Sequence, residues 1–275
     1  MAHEPLVRML AFVGVLAAMA WWEVVAPRRP RRIGRRLRWT GNLGVVVLST
    51  LVLRIAFPVL AVELAALAQE RGWGLLNVLG VSGWAAFVGS LLALDLTIYL
   101  QHVMFHAVPA LWRLHRMHHA DLELDATTGV RFHPLEIVLS MALKLGFVLA
   151  VGPPAVAVLV FEVVLNATSM FNHGNVLLPL HVDRVLRLLV VTPDMHRVHH
   201  SIRPDETNSN FGFNVPWWDR LLGTYKAQPV DGHGGMTIGI EQFRSARDLG
   251  LDRMLLQPLR GPASGYSISG RDDGA

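Results

Sequence analysis

Eight histidines fall into three clusters, and imidazoles at these spacings are metal-ligand chemistry. His102 and His106 form an HxxxH in YLQHVMFH. His115, His118 and His119 form an HxxHH in LHRMHH, and His196, His199 and His200 form another in MHRVHH. His173 stands between those two, in MFNHGN. On a helix, residues four apart face the same way, so His102 and His106 aim two rings at one site. In HxxHH the first and last rings share a face while the middle ring diverges, so one cluster can give ligands to two neighbouring ions. A lone HxxxH is commonly chance, a cap or a proton-binding pair. Three clusters in one short chain are not explained that way. Eight or nine imidazoles are too many for one ion and fit two, whereas structural zinc needs four ligands. All-imidazole coordination suits iron, zinc or copper and is poor for calcium or magnesium.

Composition narrows the setting. There is no cysteine, which excludes disulfides, thiolate ligands and iron–sulfur clusters. Apolar residues make up 52% of the 275 and charged residues only 17%, against about a quarter charged in soluble domains. The mean hydropathy of +0.38 agrees. The formal charge of +4 is unevenly spread: Arg28, Arg29, Arg31, Arg32, Arg35, Arg36 and Arg38 crowd one stretch without an acid. Alone, such a run reads as a nucleic-acid patch. Beside a long apolar segment it is better read as a topology signal, so no nucleic-acid partner is expected. The basic loop stays in the cytoplasm and the N-terminus faces outward.

These histidines must be positioned by membrane helices. Leu6–Ala26 has the length of a bilayer span, and the positive charge after it argues against a cleaved signal peptide. Leu43–Ala68 is the second span, with Pro58 as a possible kink and Arg54 at a depth that requires snorkelling or a partner. Trp84–Phe105 is the third. Leu135–Val151 and Pro154–Phe171 form a hairpin turning at Gly152-Pro153-Pro154. Counting crossings from the arginine loop brings every histidine cluster to the arginine side. His181–Val191 reads as a short amphipathic helix, and Pro216–Arg220 as an interfacial aromatic–basic segment. The expected fold is therefore all-α: an integral-membrane bundle of four or five hydrophobic segments under a cytoplasmic, histidine-rich helical cap. Residues 1–42 would be the first helix and its basic loop, 43–259 the catalytic domain, and 260–275 a disordered Gly/Ser-rich tail.

Polar residues inside the spans point to support for the ligands. Asp95, Tyr99, His102 and His106 lie on one helical stripe, and Glu162, Asn166, Ser169 and His173 repeat that spacing. Buried carboxylates and amides in a span are costly and tend to be functional. Asp95, Asn166, Glu162 and Asn210 are expected to orient ligand rings, although hydrogen bonding between helices would also account for Glu162 and Asn166. Asp121, Asp125, Asp194 and Glu206 are further outer groups in the cap. His133, in RFHPLE, is expected as a tenth ligand. His181 is expected to be structural, and His3 and His233 solvated. No catalytic side chain beyond the metal ligands is expected.

In this order and spacing the clusters resemble the fatty acid hydroxylase superfamily, which includes sterol desaturases and methylsterol oxidases. The strings that carry the resemblance are LDLTIYLQHVMFH, LWRLHRMHH, FHPLE, FNHGN, TPDMHRVHH, NSNFG and WWDRLLGTY, over roughly residues 90–225. The resemblance implies a non-haem centre of two Fe ions held by the nine cluster histidines and His133. It also implies O₂ as co-substrate and a separate electron-transfer protein of cytochrome b5-, ferredoxin- or rubredoxin-like type. The substrate would be a sterol-like, fatty acyl or ether lipid from the bilayer, hydroxylated or desaturated at a C–H bond. Asn210-Phe211-Gly212 departs from the family's Asn-Tyr-Gly, so no tyrosyl hydroxyl is available there. Two other readings are a lipid-binding member without turnover and a membrane haem or metal-handling protein. Haem would require opposed histidines within a bundle, and a metal transporter ionisable residues strung across the membrane.

Overall fold

The computed structural model describes residues 3–262 and 265–268. It is helical, with no strand among the described residues. Five segments are long and apolar enough to cross a membrane: Glu4–Val25, Arg35–Val78, Gly83–Ala107, Pro134–Val151 and Ala155–Asn172. The first is α1. The second is a broken run of α2 (Arg35–Ala56), α3 (Ala61–Arg71) and α4 (Leu75–Val78). The others are α5, α7 and α8, with α6 (Pro109–His119) between α5 and α7.

Local chemistry sets these boundaries. The break after α2 falls at Phe57–Leu60, around Pro58, which has no N–H to continue the ladder. The carboxylate of Glu63 accepts from the Leu60 N–H at 2.7 Å and restarts the run as α3. Arg54 consequently lies in the last turn of α2, exposed, rather than deep in an unbroken span. Gly152 ends α7 with φ of 69°, a left-handed conformation suited to glycine, and Pro153-Pro154 then starts the return through α8.

The bundle core lies among α3, α5, α7 and α8. Ala61, Ala65, Leu94, Val148, Val158 and Phe161 meet there, the alanines allowing close helix approach. Outward faces carry exposed apolar side chains such as Leu10, Val13, Val24, Leu51, Ile55 and Trp84. In water that would be an aggregation surface; in a bilayer it is the lipid contact.

The cap contains α9 (Leu180–Leu186), α10 (Pro193–His199), α11 (Pro204–Thr207), α12 (Trp217–Leu221), α13 (Gly232–Gly235) and α14 (Leu251–Leu256). The arginine loop packs against it, so basic loop and histidines share one end of the bundle. Arg28 pairs with Asp194 at 3.1 Å, and the Arg32 N–H donates to Glu123 at 2.6 Å. Buried Arg38 bonds both oxygens of Asp121, at 3.0 and 2.8 Å, and reaches Asp125.

Two features bear on the expected division of the chain. The division after residue 42 falls inside α2, where Arg38 and Asn42 are both tied to the cap. Within the tail, residues 265–268 are described and pack on the cap. Tyr266 is buried, stacks on Trp112 at 5.7 Å, and donates to the Ile202 carbonyl at 2.7 Å. Chain topology could not reveal that contact. Residues 263–264 and 269–275 lie outside the described residues.

Candidate metal centre

Nine histidines converge where α5, α6, α8 and α10 meet, each 3% exposed or less. They sort into two groups. His102, His106, His115, His119 and His199 form one; His118, His173, His196 and His200 form the other. Within each group, one nitrogen per residue can be chosen so that all lie within 4.8 Å of one another. In each HxxHH motif the first and last rings join one group and the middle ring joins the other. The two motifs do this in opposite senses, so α6 and α10 each contribute to both groups.

The nitrogens face inward at short range. His102 Nε2 lies 3.1 Å from His115 Nε2. His173 Nε2 lies 3.0 Å from His118 Nε2 and 3.1 Å from His196 Nε2. Two nitrogens bound at about 2.1 Å to one ion, at right angles, are about 3 Å apart. Six of the outward nitrogens are occupied. Nδ1 of His102 donates to the Phe211 carbonyl, that of His173 to Ser169, and that of His199 to Ser209, each at 2.7 Å. His106 Nδ1 donates to Asn208 Oδ1 at 3.0 Å, and His118 Nδ1 to the Arg131 carbonyl at 3.3 Å. His115 Nδ1 donates to Glu136 at 2.7 Å. These acceptors place the proton on Nδ1 and leave a lone pair on Nε2 aimed inward.

The donor set fits two metal ions. His106 Nε2, His199 Nε2 and both ring nitrogens of His119 and His200 are buried without a partner. Such groups are costly unless something else binds them. Burial pushes His115 and His173 down to about 3. Burial and then neighbouring imidazoles hold His118, His119, His196, His199 and His200 well below the ordinary histidine range. Rings kept neutral are rings able to ligate.

A model of the family described as fatty acid hydroxylase matches residues 87–224, half of the chain and all nine histidines. The chain belongs to the fatty acid hydroxylase family. It is 33% identical over 132 residues to the ornithine lipid hydroxylase OlsE of Rhizobium tropici, covering 48% of this chain and 39% of that protein. It is 28% identical over 178 residues to the alkylglycerol monooxygenase of Homo sapiens, covering 63% of this chain and 38% of that one. The Xenopus tropicalis alkylglycerol monooxygenase is 26% identical over 165 residues, covering 58% and 34%. The chain thus aligns with less than half the length of these curated relatives. No solved structure matches.

Several residues expected to serve the site do something else. His133 belongs to neither group; it caps α7, its Nδ1 accepting from the Leu135 N–H at 3.2 Å. Its position ahead of Pro134 makes it the last non-helical residue, which directs its ring to the helix start. Glu162 touches no ligand ring, binding Lys144 and Arg8 at 2.5 Å each. Asn166 donates to the Glu162 carbonyl one turn back. Asp95 accepts from Asn214 and Trp218, each at 2.7 Å, and so acts on the loop that carries Phe211 and Phe213. The Asn210 side chain donates to the Met195 and Lys226 carbonyls, holding α10, while its backbone faces His196. His233 is buried rather than solvated, 3.6 Å from Asp194. His181 stands apart from both groups on α9.

Motif spacing alone singles out neither Glu136 nor Asn208 as a partner of the ligand rings. FHPLE carried a hint of the first: Glu136 lies in the opening turn of α7, beside the site. Phe132 and Phe213 carry no motif signal of their own. Phe132 stacks on His118 at 4.4 Å and lies 6.1 Å from His115. Phe213 lies 5.0 Å from His102 and 5.8 Å from His196. Each ring therefore borders both ligand groups, and both pack into the bundle core.

Proposed function

We propose that this protein is an O₂-dependent membrane oxidoreductase that hydroxylates or desaturates a lipid C–H bond at a centre of two iron ions. The observation carrying this reading is the interleaving of two inward-facing imidazole groups by the two HxxHH helices. One group would hold one ion and the other its neighbour. Bound iron would supply O₂ activation and the oxidising strength that an unactivated C–H bond demands. All-imidazole groups of five and four nitrogens suit iron, and nine ligands exceed what one structural zinc takes. Opposed axial histidines for haem are not what nine converging rings resemble.

The chain's own residues supply the rest. The Nδ1 partners orient the rings before any ion arrives. Burial keeps water away. Phe132 and Phe213 stand between the histidines and the apolar core, the side from which an alkyl chain would come. The relatives' names, a hydroxylase of ornithine lipid and a monooxygenase of alkylglycerol, support an acyl or ether lipid as substrate class. Electrons would come from a separate carrier protein. The arginine loop supports a cytoplasmic position for the histidine end and an outward N-terminus.

The test is metal content of the detergent-purified protein by mass spectrometry. His118→Ala and His199→Ala remove one ligand from different groups. Wild type should carry iron in both groups, and each variant should lose metal from one. Retained metal with full lipid turnover in both variants would overturn the reading.

A further inference from the structure

A second site lies outside the histidine centre. A cavity of about 190 Å³ opens between the arginine loop and the cap. Arg29, Arg31, Arg32, Arg197 and Arg244 line it, against one carboxylate, Glu123. Most of these charges are committed. Arg197 pairs with Asp194, Arg31 with Glu23, and Arg244 donates to the Ile238 carbonyl at 2.6 Å. Both Glu123 oxygens accept backbone N–H groups, of Arg32 and Ile33. Arg29 is different. Its side chain makes no hydrogen bond or ion pair among the described residues, and its Nη1 is buried.

That arginine is also held in place. Asn175 Oδ1 accepts from the Arg29 N–H at 3.0 Å, and its amide nitrogen donates to the Arg29 carbonyl at 2.8 Å. The Arg28 N–H donates to the Asn175 carbonyl at 3.0 Å. A cationic fork left unpaired, half-buried and fixed at its backbone lacks an anion. We infer that this cavity binds a phosphate group, with Arg29 as its principal contact and Arg32 at its rim. Guanidinium recognises phosphate oxygens by paired charge-assisted hydrogen bonds. The volume is below the roughly 300–1,000 Å³ of sites for whole drug-sized ligands, so it admits a head group and not a lipid tail. The cavity begins just beyond α1, whose last turns expose Trp21, Val24 and Val25, at the level where a phospholipid head group lies. The phosphate comes either from such a lipid or from free anion.

The 275-residue chain would be reconstituted in phosphatidylcholine nanodiscs with and without phosphatidic acid. Retained lipid would be read by native mass spectrometry, and the melting midpoint followed in inorganic phosphate. Retention of phosphatidic acid by wild type, weakened at least about tenfold in Arg29→Gln, assigns the site to a lipid. A phosphate-induced rise in midpoint that Arg29→Gln abolishes, without lipid retention, assigns it to free anion. Equal lipid retention and equal phosphate response in wild type and Arg29→Gln overturn the proposal. Should Arg29→Gln fold poorly, Arg32→Gln at the exposed rim and Arg29→Lys, which keeps charge but loses the fork, carry the same comparison. Neither readout depends on iron, so an outcome here is separable from the fate of the oxygenase reading.

Discussion

Glu136 accepts a hydrogen bond from Nδ1 of His115 at 2.7 Å, and among the described residues no other carboxylate touches a ring of the two histidine groups. A carboxylate behind a ligand imidazole fixes its tautomer and raises its basicity. Glu136→Gln keeps a hydrogen-bonding group beside His115, while Glu136→Ala removes it. Metal affinity, measured by competition with a chelator, should fall about 10–100-fold in Glu136→Ala and less in Glu136→Gln. Equal affinity in all three proteins would mean that Glu136 does not support the centre.

Phe213 borders one ligand from each group, at 5.0 Å from His102 and 5.8 Å from His196. Phe213→Leu keeps an apolar side chain but shortens the wall between the histidines and the bundle core. Metal content should stay at the wild-type level while the hydroxylated carbon moves along the chain of an alkylglycerol or acyl lipid. Mass spectrometry of the products reads this directly. An unchanged product position would remove Phe213 from the substrate path.

Arg38 is fully buried between Asp121 and Asp125 and joins α2 to the cap. Burial alone would raise the Asp121 carboxyl, yet the guanidinium groups of Arg38 and Arg131 hold it well below the usual range. Arg38→Met leaves two buried carboxylates without their principal cation. The cost should be about 3–5 kcal/mol, seen as a lower melting midpoint or loss of folded protein. A midpoint within a degree or so of wild type would contradict this account.

The neutral histidines make the metal-free fold acid-sensitive. An unfolded histidine titrates near 6.5, whereas burial pushes His115 and His173 down to about 3 in the folded chain. Between those values the unfolded state binds protons that the folded state rejects. Stability is therefore complete above about pH 6.5 and is lost as pH falls, at about 1.4 kcal/mol per pH unit for each such ring. The melting midpoint of chelator-treated protein should drop between about pH 7.5 and about pH 5.5. A flat profile over that window would show that the rings are not held neutral.

What the sequence determined by itself is local. Four-residue spacing set which rings of each motif share a face, because helical geometry depends on neighbours alone. Apolar length set the spans, and crossing parity brought the arginine loop and the histidines to one end. Tertiary structure decided the rest. The motif pattern permits two ion groups, but only the way α6 and α10 meet assigns His199 to one and His118 to the other. Four of the partners that hold ligand rings are backbone carbonyls, of Phe211, Ser169, Ser209 and Arg131. Every residue has a carbonyl, so no residue type announces that role. Glu162 had the right spacing to serve the site, yet Lys144 and Arg8 claim it. A charge in an apolar bundle goes to the nearest opposite charge, and which one is nearest depends on how α1, α7 and α8 pack.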